Sequence, residues 1–341
     1  MEIKPIVDNL TWDDFICKNE NTFLHSWCWG KFNQNIGNKI WRFGVFEGNI
    51  IISIFLSIKI TAKRGSFIFV PHGPIIDKSQ HAHSYNQILN EVKKQLITLA
   101  EEENCSFIRI APILNNSEEN IHLFQSLGFI KAPIHMHSEM CWILDLKENE
   151  DEILKKMRKT TRYLINQKDK HNISVSSSRR LADFDKFYDV YKKTESRQKF
   201  VGFSKKYLQT EFDTFSKENK ALLFFATQKS QLLSVAMIIL HGSSGYYHHG
   251  ASDLLDPKIP SAYIIQWEII KYLKENGFGF YNFWGIAPEH KTKHPWKGLT
   301  NFKKGFGGFI LEFVPTQDYI LNKSYVINWL IESIRKIKRR F

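Results

Sequence analysis

Phe302-Lys303-Lys304-Gly305-Phe306-Gly307-Gly308 sets two lysines beside three glycines. An ammonium group is a compact point charge, and glycine lets backbone approach a ligand closely. Such a pair could hold an anion, or the oxyanion that develops during acyl transfer. The surrounding stretch, Tyr281 to Glu312, reads as a strand, a polar loop and a second strand that carries the lysines. Tyr281, Phe283 and Gly285 alternate with Asn282 and Trp284, and prolines, histidines and lysines fill the loop from Pro288 to Gly298. On a strand, Lys303 and Lys304 face opposite ways, which makes Lys304 the secondary candidate. The same pattern also fits a solvated hairpin with a charged rim, and on its own leaves both readings open.

Two other groups of residues could do chemistry. The run EDEILKKMRKTTRYLINQKDKHN reads as helical and carries Lys155, Lys156, Arg158, Lys159, Arg162, Lys168 and Lys170. After Glu152 its only acid is Asp169, whereas a helix stabilised by i,i+4 pairs would mix signs. It is either a solvated face or a phosphate contact. Histidines come in pairs: His81 and His83, His135 and His137, His248 and His249, His290 and His294. None has a carboxylate or cysteine at ligand spacing, so the sequence predicts no metal. It contains no Gly-x-Ser-x-Gly or P-loop pattern.

The elements that must position these residues repeat. Thr11 to Asn35 has a helical pattern, with Thr11 as the cap and Gly37 at the end. WRFGVFEGNIIISIFLSIKI then reads as two strands around a Glu47-Gly48-Asn49 turn, SFIFVPHGPIID as a third, and HSYNQILNEVKKQLITLAEEEN as an amphipathic helix. CSFIRIAP is a strand, and NIHLFQSLGF (a short helix) and MCWILDL (a strand) close the half. After two helices the same order returns: the hairpin ALLFFATQKSQLLSVAMIILHG, the strand SGYYHHGASD, the helix SAYIIQWEIIKYLKENG and the strand FGFYNFWGIAP. Ile110-Ala111-Pro112 recurs as Ile286-Ala287-Pro288, and the hairpins recur at nearly the same offset. The sequence therefore holds an internal duplication of an α+β unit. FKKGFGG follows the second copy and has no counterpart in the first.

Bulk composition narrows the partners. The 341 residues exceed the usual size of one core, and 43% hydrophobic content argues against disorder. A net charge of +12 favours nucleic acid, a phosphorylated substrate or an acidic membrane surface. Cys17, Cys28, Cys105 and Cys141 are scattered, which fits free thiols in a reducing cytoplasm. MEIKPIVDNLTWDDF lacks an apolar signal segment, and no apolar run approaches the ~20 residues a bilayer needs. The predicted protein is soluble, or at most attached to a membrane surface. Its last helix, NKSYVINWLIESIRKIKRRF, puts Val326, Trp329, Leu330, Ile334 and Ile337 on one broad face next to a basic end. It either docks on the first domain or lies on an anionic membrane.

The duplicated unit resembles the GNAT acyltransferase fold, and two in tandem resemble the Fem family of peptidoglycan bridge-forming aminoacyltransferases. The resemblance rests on FLHSWCWGKF at 23–32, VPHGPIID at 70–77, KKMRKTTRY at 155–163, HHGASD at 248–253, FYNFWGIAPE at 280–289 and FKKGFGG at 302–308. It implies two tandem GNAT-like domains with mixed, mostly antiparallel sheets: 1–146 completed by 312–341, and 147–311. With no coiled-coil insertion, the chain looks like the compact members of the family. The implied reaction carries an amino acid from aminoacyl-tRNA to the side-chain amine of a stem peptide, on lipid II or on UDP-MurNAc-pentapeptide. Both substrates are polyanions, in keeping with the net charge. Neither GPIIDKSQHAHSYNQ nor ASDLLDPKIPSAYIIQ has the glycine spacing with which acetyl-CoA enzymes hold pyrophosphate, so no cofactor is expected. A monomer in the cytoplasm, in peripheral contact with the inner membrane surface, completes the implied picture.

The resemblance also implies roles. Lys303, following Phe302, matches the family's lysine at the aminoacyl-tRNA end, where it stabilises developing negative charge; these two form the catalytic pair. Lys31 matches the lysine that grips the precursor diphosphate. Tyr207 and Tyr247 match tyrosines at the peptidyl substrate, or are core aromatics with satisfied hydroxyls. Arg162, Arg197 and Lys304 complete the substrate-binding set. Two departures stand out. Phe203 falls where an Arg helps hold the phosphates, which leaves Arg197, Lys205 or Lys206 to substitute. Ala111 falls where the family often has a carboxylate, so the general base is open. A tandem-GNAT transferase acting on another amine is the alternative reading. A tRNA- or membrane-binding module with a decayed site is another.

Overall fold

A computed structural model describes the chain except residues 63–64, 80–82, 254–255, 257 and 340–341. His81, the tip of the basic C-terminus and parts of the two loops that lack phosphate-binding glycine spacing lie outside the described residues.

After β1 (Glu2–Pro5) comes α1 (Asn9–Asn19), capped not by Thr11 but by Asp8, whose carboxylate accepts from the Thr11 N–H at 2.7 Å. A carboxylate there satisfies an orphan donor and meets the positive end of the helix. The single helix expected from Thr11 to Asn35 is broken, and α2 (Trp27–Asn35) restarts under a Ser26 cap. Thr22, Phe23, Leu24 and His25 fill the break and are buried, so packing overrides helical continuity. Then come β2 (Ile40–Glu47), β3 (Ile50–Ala62), β4 (Gly65–Pro71) and β5 (Ile75–Ile76). α3 (Tyr85–Glu102) opens with a reciprocal capping box between Ser84 and Gln87. β6 (Phe107–Ala111), α4 (Glu118–Ser126), β7 (Ile130–Lys131) and β8 (Met140–Asp145) follow.

The basic stretch forms two short helices, α5 (Glu150–Lys156) and α6 (Lys159–Ile165), rather than one. β9 (Ile173–Ser178), α7 (Phe184–Gln198) and α8 (Lys205–Ser216) lead to β10 (Ala221–Gln228), β11 (Gln231–His241) and β12 (Ser244–Ser252). α9 (Ser261–Glu275) connects to β13 (Phe280–Gly285). Lys303 and Lys304, expected on a strand, lie on α10 (Lys297–Lys304), and β14 (Phe309–Glu312) comes only after it. β15 (Gln317–Ile320) and α11 (Tyr325–Arg339) end the chain.

The fold class is α+β, with two mixed sheets ordered β1-β2-β3-β4-β6-β15-β7, with β5 on β3, and β14-β8-β13-β12-β11-β10-β9. The duplication is explicit in the pairing. β4 runs parallel to β6 across α3, and β12 runs parallel to β13 across α9. The strand that follows is exchanged: β8, expected to close the first half, pairs antiparallel with β13, while β15 pairs with β6. The chain divides into two units: residues 1–140, 287–295 and 311–341, and residues 141–286 and 296–310.

Each unit has its own core. Ile88, Val92, Leu96 and Leu99 of α3 pack on Phe55, Ile68 and Ile108 in the first. Ile264, Ile265, Ile269 and Leu273 of α9 pack on Phe224, Ile238 and Phe283 in the second, where Ile153, Met157, Ile165 and Phe306 join them. Each such side chain contributes about 1.5–3 kcal/mol. No helix among the described residues is long and apolar enough to cross a membrane.

Candidate active site

Lys303 sits on α10 and is 3% exposed. Its helix is amphipathic in an unusual sense, since Thr300 and Lys303 face inward. Phe302 and Phe306 hold the helix down against Tyr263, with ring centroids 4.9 and 5.8 Å away. The Lys303 Nζ donates to the Gly285 carbonyl at 2.6 Å, at the end of β13. That carbonyl is presented by a bulge. The β13–β8 register shifts between Asn282 and Gly285, and Trp284 takes φ +68° with its N–H donating to the Asn282 side chain at 2.8 Å. A non-glycine residue held there is strain imposed by its surroundings.

Burial pushes the Lys303 ammonium down to about 7. Its nearest counter-charge in principle is Cys141, but burial pushes that thiol up to about 12, so it stays neutral. No carboxylate pairs with Lys303 among the described residues. A buried amine poised between its charged and neutral forms is therefore set beside a backbone carbonyl.

Lys304, one residue on, points elsewhere: its Nζ lies 5.2 Å from the Trp142 ring centroid. Separation of the two lysines thus comes from a helix turning about 100° per residue, not from strand alternation. The glycines after them serve the protein's own backbone. Gly308 has φ +100°, and a Cβ there would stand 2.2 Å from the Ile143 carbonyl oxygen on β8.

The basic stretch is largely engaged. Lys155 pairs with Glu152, Lys156 with Glu148 and Lys168 with Glu268. The Arg162 Nη1 donates to the carbonyls of Lys155 and Met157 at 2.8 and 2.7 Å, closing the end of α5. Glu152 lies within the run, whereas Glu148 and Glu268 come from outside it.

A second cluster in the same unit escaped the sequence. Glu211 of α8 is fully buried, and its two oxygens meet the Nε2 atoms of His248 and His249 at 2.8 and 2.9 Å. Two consecutive histidines reach one carboxylate because the β11–β12 register shifts between Met237 and Ile238, which bulges β12 at His248. Burial alone would raise the Glu211 carboxyl, but the histidines outweigh it and hold it at about 2. These three groups could surround a metal ion, their ligand atoms all lying within 4.8 Å of one another. As they stand, each imidazole already has one carboxylate oxygen. The cluster neighbours the bulge under Lys303, since the His248 and Trp284 rings are 5.6 Å apart. The pair His248–His249 was visible in sequence; Glu211, on a distant helix, carried no signal.

The remaining candidates are spread. Tyr207 stacks on Phe203 at 4.6 Å, and Phe203 meets His249 edge-on. Burial pushes the Tyr207 hydroxyl well above its ordinary range. Tyr247 packs against the second core, and burial pushes its hydroxyl up to about 12. Gly250 makes room for it, since a Cβ there would overlap its hydroxyl. Arg197 donates from Nη2 to the Ser252 carbonyl at 2.8 Å, and Lys205 pairs with Asp185. Lys31 lies in the first unit, exposed on α2. The FLHSWCWGKF segment anchors that helix: His25 bridges the Pro71 carbonyl at 2.7 Å and the Leu56 N–H at 2.8 Å. An open recess of about 600 Å3 is lined by Ser176, Ser178, Arg180, Lys186, Phe225 and Thr227 among others, and by none of the candidate residues.

A sequence model described as the FemAB family matches residues 7–231 and 224–332. A lipid II:glycine glycyltransferase of Staphylococcus haemolyticus is 22% identical, over 78% of this chain and 79% of its own length. An aminoacyltransferase FemA of Staphylococcus epidermidis is 25% identical over a shorter region, 31% of this chain and 25% of its own. Among solved structures, a crystal structure of FemX superposes with a TM-score of 0.83 at 19% identity, covering 97% of this chain and all of that one. A tandem GNAT protein from the clavulanic acid biosynthesis pathway, at TM-score 0.59 and 9% identity, covers 94% of this chain and 99% of its own, and shares the fold.

Proposed function

The chain belongs to the FemAB family, and on that premise we propose that it is an aminoacyltransferase of peptidoglycan bridge formation. It moves an amino acid from aminoacyl-tRNA to the side-chain amine of a stem peptide. The observation that carries this reading is Lys303, buried without a carboxylate partner among the described residues and bonded to the Gly285 carbonyl.

Ester aminolysis sets three demands. The attacking amine must be neutral, the tetrahedral oxyanion needs a counter-charge, and the ribose oxygen needs a proton as it leaves. The C–N bond forms, the C–O bond to the ribose breaks, and the proton shed by the amine balances the one the ribose oxygen takes up. Lys303 in its ammonium form serves the oxyanion and delivers the proton to the ribose oxygen. An anionic substrate arriving in the site raises the proton affinity of a buried amine, so binding itself charges Lys303. Phe302 keeps the helix carrying it against Tyr263.

Substrate contacts follow from the remaining residues. Exposure of Lys31 on α2 suits a grip on the precursor diphosphate. Tyr207 and Tyr247 border the peptidyl moiety, and Lys304 adds positive charge beside Trp142. Arg162 and Arg197, each already donating to backbone carbonyls, act through the segments they hold. The acceptor is lipid II or UDP-MurNAc-pentapeptide, met in the cytoplasm or at the membrane face.

Labelled aminoacyl-tRNA, offered lipid II in vesicles, soluble UDP-MurNAc-pentapeptide and a peptide with a free N-terminus, tests the reading. Label is expected on a peptidoglycan precursor. Label on the free N-terminus alone, or tRNA bound with no transfer, overturns it.

A further inference from the structure

We infer that the solvent face of α11 is a docking surface for an anionic lipid bilayer. The helix is mounted inside out. At about 100° per residue, Tyr325, Asn328 and Glu332 share one face, and all three are buried. Glu332 meets the Arg109 guanidinium at 2.8 Å, and Arg109 also bridges both oxygens of Asp318 at 2.7 Å. The Tyr325 hydroxyl donates to Asp318 at 2.9 Å. Polar groups thus anchor the helix, and its apolar stripe faces out. Val326, Ile327, Leu330 and Ile334 are half exposed, and Ile337 is 78% exposed. A surface helix normally turns such a stripe inward.

The border of the stripe names the occupant. Lys336 flanks it on the side of Trp329, and Lys338 on the side of Ile327. Glu332 is the only acid of the helix and is consumed by Arg109, so every exposed position described on α11 is apolar or basic. A second copy of the chain would bring two basic borders together, at an electrostatic cost. An anionic bilayer offers hydrocarbon to the stripe, headgroup phosphates to the lysines and an interfacial zone to Trp329. The surface deepens the membrane-face contact proposed above, and rests on that reading for the presence of a lipid-linked acceptor.

Flotation of the full chain with vesicles, without tRNA or precursor, tests the surface separately from the transfer reaction. Binding is expected to vesicles containing phosphatidylglycerol and at least tenfold weaker to pure phosphatidylcholine. Leu330→Glu with Ile334→Glu, both at exposed positions, is expected to lose at least tenfold in binding while transfer to the soluble precursor is kept. No binding to anionic vesicles, or undiminished binding of the double variant, overturns the inference. So does a concentration-dependent dimer that the double variant abolishes, which would make a second copy the occupant.

Discussion

At the scale of single residues, the proposed transfer depends on the proton of Lys303. The folded chain holds that proton less tightly than the unfolded one, with an affinity near pH 7 against an ordinary 10.5. Between those values the unfolded state binds more protons, so stability rises with pH across that window and the penalty is complete below it. Lys303→Met is therefore expected to be at least as stable as wild type at pH 7, and to lack the gain between pH 7 and 10.5 in denaturant titrations. Catalysis has the opposite sign. The neutral fraction of the acceptor amine grows with pH, while loss of the Lys303 proton above about 7 offsets that growth. The profile of kcat/KM should climb and then level near pH 7. In Lys303→Arg, whose guanidinium keeps its proton, it should go on climbing; a break at the same pH in that variant would assign it to another group. Lys303 stood out as a candidate from its glycine-rich setting and the family resemblance. Its burial was not legible, because Cys141 and Gly285 approach it from other strands. Glu211 was invisible for the same reason.

Elements show where local pattern misleads. The stretch that carries Lys303 and Lys304 reads as a second strand after the polar loop, yet 297–304 are helical. The spacing of Thr300 with Lys303, and of Phe302 with Phe306, is the helical period that tertiary packing rewards. The long first helix failed in the other direction, when burial of Phe23, Leu24 and His25 broke a continuous helical pattern. α11 was legible as an amphipathic helix, but which face docks depends on Arg109, which is distant in sequence and holds both Glu332 and Asp318. Losing Glu332 leaves Arg109 paired with Asp318 and strips only its charged hydrogen bonds to Glu332, at a cost of about 1–3 kcal/mol. Glu332→Ala should therefore lower stability by that order. It should also speed amide exchange across 325–339 more than across α3. Uniform loss of protection in both helices would mean that Glu332 supports the whole unit rather than the docking of α11.

Across the whole molecule, the duplication was readable because each copy repeats its hairpin, strand, helix and strand. The exchange of β8 and β15 was not, since strand pairing across more than a hundred residues leaves no local signal. Charge acts at this scale too. The net charge of +12 survives although many lysines of the 148–170 stretch are paired, so long-range attraction to a polyanion remains. Affinity for tRNA should fall by about tenfold or more between 50 and 200 mM salt. A flat response would remove phosphate contact from the account. The central claim is that this chain transfers an aminoacyl group through Lys303, and single-turnover transfer from labelled aminoacyl-tRNA to a peptidoglycan precursor measures it directly. Wild type should move the label, and Lys303→Met, folded and still binding tRNA, should do so more than tenfold slower. Equal rates in the two proteins, or no transfer by wild type to any precursor, would contradict it.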